Sequence, residues 1–256
     1  VTGVQTCALP ISKEPRQRNR DNQPKGDTLT RNLVLGMVGL VVLSGGIFTV
    51  LDRQSSGSGL PAAIEKLDAA NNGPALPADI SAEDDFGITF NKGTLPAIDV
   101  WEDPQCPFCN DFEKEIGGYL DGLIRNQQAQ VAYRMTSFLG AESQQAVNAS
   151  YCAADEGRFL DFHKAIYTVQ GTENSGIYSE SNLLEIGKRL GITSDSFKSC
   201  VTDNKYGDRV KAVYESMAKF NVKGTPTVFI NGTLWQRSGA EFKLDEFKAA
   251  VEAAKK

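Results

Sequence analysis

Asp103-Pro104-Gln105-Cys106-Pro107-Phe108-Cys109 lies near the middle of the chain, and Gly224-Thr225-Pro226-Thr227 follows about 115 residues later. A Cys-x-x-Cys pair alone is ambiguous, because the same spacing serves zinc and iron–sulfur sites. Its flanks narrow the choice. An apolar stretch, 95–101, runs into the pair as a strand does, and Asp111-Phe112-Glu113-Lys114-Glu115-Ile116 has helical spacing. Cys106 then falls at a helix N-terminus, where unpaired N–H groups and the macrodipole stabilise a thiolate. That placement favours redox chemistry.

Working outward, 87–90 and 95–101 read as strands around the Asn91-Lys92-Gly93 turn, and 129–137 alternates like a strand. The cysteine helix is expected over 106–124. Helical patterns dominate 141–220, in five segments: 142–154, 158–169, 180–190, 194–202 and 206–220. A strand at 226–230 ends in Asn231-Gly232, a strong hairpin signal, with 233–237 as its partner and a last helix at 241–254. The order is β, cysteine-bearing helix, β, a helical stretch of about 80 residues, hairpin, helix, with no internal repeat.

Charge is mild, 27 Lys+Arg against 32 Asp+Glu, and no basic stripe marks a nucleic-acid partner. The informative asymmetry is N-terminal. Residues 13–31 carry Lys13, Arg16, Arg18, Arg20, Lys25 and Arg31, and the next segment, 33–51, has no charge at all. As a helix it would span about 28 Å, close to the roughly 30 Å hydrocarbon core. The positive-inside rule puts the basic flank in the cytoplasm and all that follows outside. A cleaved signal peptide is the alternative, although its apolar core is usually shorter. Residues 1–12 (VTGVQTCALPIS) match nothing around them and resemble a translated sequencing-adapter scar, so Cys7 is set aside. Four cysteines remain in the part expected to face an oxidising compartment.

Three segments taken together, EDPQCPFCNDFEKE around Cys106, YCAADEGRFLDFHKAIY around His163 and VKGTPTVFINGTLW around Pro226, resemble the DsbA-like branch of the thioredoxin superfamily, in particular its membrane-anchored actinobacterial type. The resemblance runs over roughly 71–256. It implies an α/β thioredoxin fold with an all-helical insertion domain, preceded here by a single transmembrane helix. The expected organisation is a scar at 1–12, a cytoplasmic basic tail at 13–32, the transmembrane helix at 33–51 and a linker with a short helix at 52–74. The thioredoxin domain then occupies 75–140 and 221–256, with the helical insert at 141–220.

The resemblance also assigns roles. Cys106 is the attacking thiolate, nearest the helix N-terminus and the solvent, and Cys109, one turn on, is the buried resolving thiol. Pro107 suits the first helical turn, where its missing N–H costs little. Phe108 stands where DsbA has a histidine, and without a polar group there the oxidising power is open. Pro226 is the expected cis-proline, which sets the Thr225 backbone beside Cys106 for pairing with a substrate strand, while the Thr225 hydroxyl reaches the sulfurs. Cys152 and Cys200 are expected to form a structural disulfide; closing a loop of about 49 residues is worth roughly 4 kcal/mol in the chain-entropy model. The carboxylate that often stands six residues before the first cysteine is replaced by Val100. Glu102 and Asp103 are near enough to substitute, Asp103 alternatively serving as a helix cap. Trp101 is expected to pack near the site, and His163, the only histidine, to be structural.

The activity implied is that of an extracytoplasmic thiol–disulfide oxidoreductase, which introduces disulfides into reduced exported proteins through Cys-Pro-Phe-Cys. It needs no cofactor or metal beyond the redox-active Cys106–Cys109 disulfide, and a VKOR- or DsbB-type membrane quinone reductase would reoxidise it. The expected form is a single-pass membrane monomer. A reductase or isomerase using the same residues is the alternative, although 60–85 looks too short for an isomerase's dimerisation domain. A four-sulfur zinc site from Cys106, Cys109, Cys152 and Cys200 has the right ligand number, but the second pair is not in a knuckle and the Thr-Pro motif would have no purpose there.

Overall fold

The computed structural model describes residues 7–8 and 60–255. The expected scar (apart from its residues 7–8), basic tail and membrane helix lie outside that range, as do residues 52–59 of the linker. Among the described residues no helix is long and apolar enough to cross a membrane.

A two-residue strand, β1 (Cys7–Ala8), comes first in the chain. Short helical turns follow, α1 (Ala62–Glu65) and two 3₁₀ turns at Ala69–Asn71 and Ala82–Asp84; the short helix expected within 52–74 is broken into the first two of these. The strand β2 (Ile88–Phe90) precedes β3 (Ala97–Glu102), which feeds the cysteine helix. That helix is not one uniform rod. It comprises α2 (Pro107–Phe112), a π-helical turn at Glu113–Gly117 and α3 (Gly118–Arg125). The strand β4 (Gln130–Met135) closes the first half.

Five helices come next: α4 (Ala141–Asp155), α5 (Phe159–Thr168), α6 (Glu180–Arg189), α7 (Asp195–Thr202) and α8 (Gly207–Lys219). The chain then returns through β5 (Gly224–Thr225), β6 (Thr227–Ile230), β7 (Thr233–Leu234) and α9 (Leu244–Ala254). Asn231 and Gly232 both have positive φ, 49° and 74°, as a primed hairpin turn requires.

The main sheet runs β2-β4-β3-β6-β7, with β3 and β4 parallel and the other pairs antiparallel. Although β2 and β3 are neighbours in sequence, they are not partners; β4 lies between them. Central β3 is buried on both faces towards its end, through Val100, Trp101 and Glu102. Its register with β6 sets Trp101 opposite Thr227, so Pro226 stands beside the carboxyl end of β3, where Cys106 emerges.

Between the sheet and α8 lies a charged core. Arg134 of β4, 5 % exposed, bonds Asp99 (Nε to Oδ1, 2.9 Å) and Asp84 (Nη2 to Oδ1, 2.6 Å), with its guanidinium over the rings of Trp101 and Phe220. In the helical stretch α4 is the hub. Its alanines at 146, 149, 153 and 154 are buried and let neighbouring helices approach, and Cys152 forms a disulfide with Cys200 of α7. Gly187 of α6 is required by contact, because a Cβ there would lie 2.3 Å from the Phe197 ring.

Candidate active site

The loop leaving β3 shapes the site. Asp103 does not cap α2; Cys106 itself is the N-cap residue, with extended backbone. The Asp103 carboxylate instead accepts from Gln105 N–H (2.9 Å), the Ser143 hydroxyl (2.6 Å) and Leu139 N–H (3.1 Å), tying the loop to the start of α4. Burial pushes its pKa up to about 6, against the pull of those bonds. Pro107 is the first helical residue, where no N–H is wanted.

Helix α5 and the connection from it to α6 hold this loop through its carbonyls. Tyr167 Oη donates to Asp103 O, Tyr178 Oη to Pro104 O, and Gln170 Nε2 to Pro104 O (2.7 Å) and Cys106 O (3.1 Å). Gln105 is gripped at both ends of its amide, by Ser143 and by the backbone N–H of Asn174. Sequence reading missed these clamps. The one signal available was a polar residue just beyond an amphipathic helix, as Gln170 is, and it proves half-buried.

Cys106 Sγ lies 3.5 Å from the carbonyl oxygen of Thr225, and the Thr225–Pro226 peptide bond is cis. Cys106 was expected to face solvent but is fully buried. The site here is occupied by backbone, with β1 laid antiparallel along β5 and Cys7 opposite Thr225. The expected Cys106–Cys109 disulfide is not closed in this structure: Cys109 is a buried free thiol, whereas Cys106 is disulfide-bonded. The Thr225 hydroxyl is buried and meets no partner at hydrogen-bond geometry among the described residues, yet it faces Cys109 and draws that thiol's pKa down. Burial and the charge of Glu102 outweigh it, so the Cys109 pKa stands well above its ordinary value.

Trp101 is fully buried and packs on Phe220, with ring centroids 5.3 Å apart, as core. Phe108 is on the first turn between the cysteines and brings no charge. Cys152 and Cys200 pair with each other, away from the active cysteines, so the four-sulfur zinc arrangement is not formed. An apolar cleft of about 400 Å³ flanks Pro226, lined by Phe220, Val228, Leu234, Trp235 and Phe242.

Beneath Cys109 lies a second feature that sequence reading only touched. Glu102 Oε2 is 2.9 Å from His163 Nε2, and His163 Nδ1 is 3.7 Å from Glu113 Oε2. Burial pushes the Glu102 pKa up to about 8, and burial with the Glu102 charge holds Glu113 well above its usual value. Burial lowers the His163 pKa, with Glu113 opposing. One ligand atom from each residue lies within 4.8 Å of the others, the one trio among the described residues spaced to hold a cation.

Residues 91–253 match the family model described as thioredoxin. The chain belongs to the thioredoxin family. Among solved structures of that fold, MdbA of Actinomyces oris, a thiol-disulfide oxidoreductase, superposes with a TM-score of 0.59 at 24 % identity, over 76 % of this chain and 96 % of that one. A putative protein-disulfide oxidoreductase of Rickettsia bellii is 24 % identical over 198 residues, 76 % of this chain and 74 % of its own length. The serine/threonine-protein kinase PknE of Mycobacterium tuberculosis is 26 % identical over 159 residues, 56 % of this chain. The match spans only 28 % of the kinase's length. The thioredoxin fold therefore accounts for the mixed sheet, and the helices α4–α8 are inserted between β4 and β5.

Proposed function

We propose that this chain is a thiol–disulfide oxidoreductase that forms disulfides in reduced exported proteins, with Cys106 as the exchanging sulfur and Cys109 as the resolving one. The observation that carries the reading is the convergence of three parts. Cys106 caps α2, Cys109 follows one turn later, and the Thr225 carbonyl beside Pro226 lies 3.5 Å from Cys106 Sγ. The β1–β5 pairing supports the substrate mode, because a short edge strand here accepts an extended peptide with a cysteine opposite Thr225. The apolar cleft beside Pro226 would take the peptide's neighbouring side chains.

In the reaction, a substrate thiolate attacks Cys106 Sγ of the Cys106–Cys109 disulfide. The S–S bond breaks, and Cys109 leaves as a thiolate that takes up a proton. A second substrate thiolate then attacks the substrate sulfur of the mixed disulfide and expels Cys106 as a thiolate. Two electrons have passed from substrate to enzyme. The high pKa of Cys109 favours its protonation once released, so the reverse attack is slowed while substrate resolves.

The charge-free segment 33–51 behind a basic flank supports an anchored form with the catalytic domain outside the cell membrane. A membrane quinone reductase of the VKOR or DsbB kind would then withdraw the two electrons. The test is the reduction potential of the Cys106–Cys109 couple, by thiol trapping in glutathione buffers. A value near about −120 to −180 mV supports the oxidase, and one near about −270 mV refutes its direction in favour of a reductase.

A further inference from the structure

Three elements far apart in the chain bring one ligand each to the same place. β3 ends in Glu102, Glu113 opens the π-helical turn of the cysteine helix, and His163 comes from α5. One oxygen or nitrogen from each lies within 4.8 Å of the others, and Glu102 Oε2 is already 2.9 Å from His163 Nε2. Around a tetrahedral zinc ion, with bonds of about 2.0–2.2 Å, ligand atoms stand roughly 3.4 Å apart. The trio therefore has to contract by little more than an ångström, which the soft terminal torsion of a glutamate supplies. The turn leaves room for the carboxyl, because a Cβ at Gly117 would lie 2.3 Å from Glu113 Oε2. Single π turns of this kind recur at functional sites.

A second observation is independent of that spacing. Glu102 is fully enclosed, and its Oε1, like that of Glu113, meets no N–H or O–H donor among the described residues. Buried acceptors without donors call for a positive partner. Among the described residues both glutamates form ion pairs with His163 alone, and burial works against charge on that imidazole. Burial also drives both carboxyls towards their protonated forms. A dication cancels two carboxylates and leaves His163 neutral, the form that ligates. The rings of Tyr133, Phe159 and Tyr167 stand 4.6, 5.1 and 5.1 Å from the imidazole and fix its plane. One side is open for entry, because Glu113 and His163 line a cleft of about 770 Å³ between the cysteine helix and α5.

We propose that Glu102, Glu113 and His163 form a zinc site, with water from the cleft as the fourth ligand. The donor set selects the ion. Calcium takes about six to eight oxygens, and magnesium an octahedron that keeps several waters. One imidazole and two carboxylates in a tight, partly closed space suit zinc. Binding expels the carboxyl protons to cleft water, so no further reactant is required. The ion clips β3 and the cysteine helix to α5, joining the strand and helix that carry the sulfurs to the helical frame beside them. It stays apart from the sulfurs themselves, since no cysteine belongs to the trio. Zinc would bind here whichever way electrons flow through Cys106 and Cys109.

For the test, the full chain is oxidised to keep the active thiols from metal, stripped with a chelator, and titrated with zinc by calorimetry and with cobalt by absorption. The wild type should take up one zinc per chain and melt at a temperature that climbs with zinc concentration. Its cobalt form should show the visible bands of a four- or five-coordinate ion without a thiolate charge-transfer band. Glu113→Gln and His163→Gln should each weaken zinc at least about tenfold. Glu115→Gln, at an exposed position of the same turn, should leave affinity and melting response unchanged. A chain that takes up no zinc overturns the site. So does an affinity that is the same in the wild type, Glu113→Gln and His163→Gln, and so does a thiolate band, which would put the ion on cysteine. Should the variants fail to fold, X-ray absorption of the zinc-loaded wild type decides. Nitrogen and oxygen neighbours with imidazole scattering support the site, and a sulfur neighbour or a shell without imidazole overturns it. None of these outcomes touches the Cys106–Cys109 potential, which tests the redox reading separately.

Discussion

Replacing Arg134 with methionine tests how the sheet is held behind the active cysteines. The guanidinium is almost fully enclosed, with 6 % of its side chain exposed, and bonds Asp99 Oδ1 at 2.9 Å, Asp84 Oδ1 at 2.6 Å and the Asp84 carbonyl at 2.6 Å. Charged hydrogen bonds are worth about 1.5–3 kcal/mol each, and breaking a buried ion pair from one side costs about 3–5 kcal/mol. The carboxylates of Asp84 and Asp99 are 25 % and 24 % exposed, so both keep some water once the cation is gone. Methionine also retains much of the contact with Trp101 and Phe220. The expected loss is therefore about 3 kcal/mol at pH 7, the lower end of the range. Its pH dependence has a definite sign. Burial already holds the Asp99 pKa above 3.8, with Arg134 opposing, so removing the cation raises it further. A carboxyl whose folded pKa is raised binds more protons folded than unfolded, so the variant's deficit should shrink as pH falls from 7 towards 4. Urea unfolding at several pH values measures this, and Asp99→Asn in the same chain should recover part of the loss. A deficit under about 1 kcal/mol at pH 7, or one that grows on acidification, would refute the reasoning.

Phe108→His puts a group able to donate to the Cys106 thiolate between the cysteines and should make the couple more oxidising. Each tenfold change in the glutathione equilibrium corresponds to about 30 mV, and an unchanged potential would mean the residue at 108 does not face the sulfur. Replacing Cys152 and Cys200 together by alanine opens a loop with a sequence separation of 48 and should cost about 4 kcal/mol in denaturant unfolding, with the same fold by circular dichroism. The raised pKa of Glu102, about 8 against 4.5, means that wild-type stability falls as pH climbs through that window. Glu102→Gln should flatten the decline, and a variant with the same slope as the wild type would assign it elsewhere.

Much of this was legible in the chain because its signals are local. The Cys-Pro-Phe-Cys spacing, the strand before it and the Asn231-Gly232 turn each determine their own few residues, and the helical periods at 141–220 match α4–α8 to within a few residues. What failed was non-local. Nothing near Cys106 announces that it is buried here, because the burial accompanies a strand almost 100 residues away in sequence lying along Thr225. Asp103 has the composition of a cap, yet its acceptors are taken by Ser143 and Leu139, donors that arrive only when α4 folds against the loop. His163 reads as one more position of an amphipathic helix, and its meaning depends on Glu102 being 61 residues away. The π turn at Glu113–Gly117 has no composition of its own, since helix propensity does not distinguish it from the α-helix on either side.

The clamps on the cysteine loop have a consequence for how such a site can vary. Tyr167, Tyr178 and Gln170 all donate to main-chain carbonyls, those of Asp103, Pro104 and Cys106. None of these bonds uses the side chain of Pro107 or Phe108. Helix α5 and the connection after it thus act as a jig that grips the backbone on one side of the first sulfur and is indifferent to the two residues between the sulfurs. That dipeptide becomes an adjustable dial, whose setting can drift between more and less oxidising without disturbing the frame that presents the sulfur to its partner.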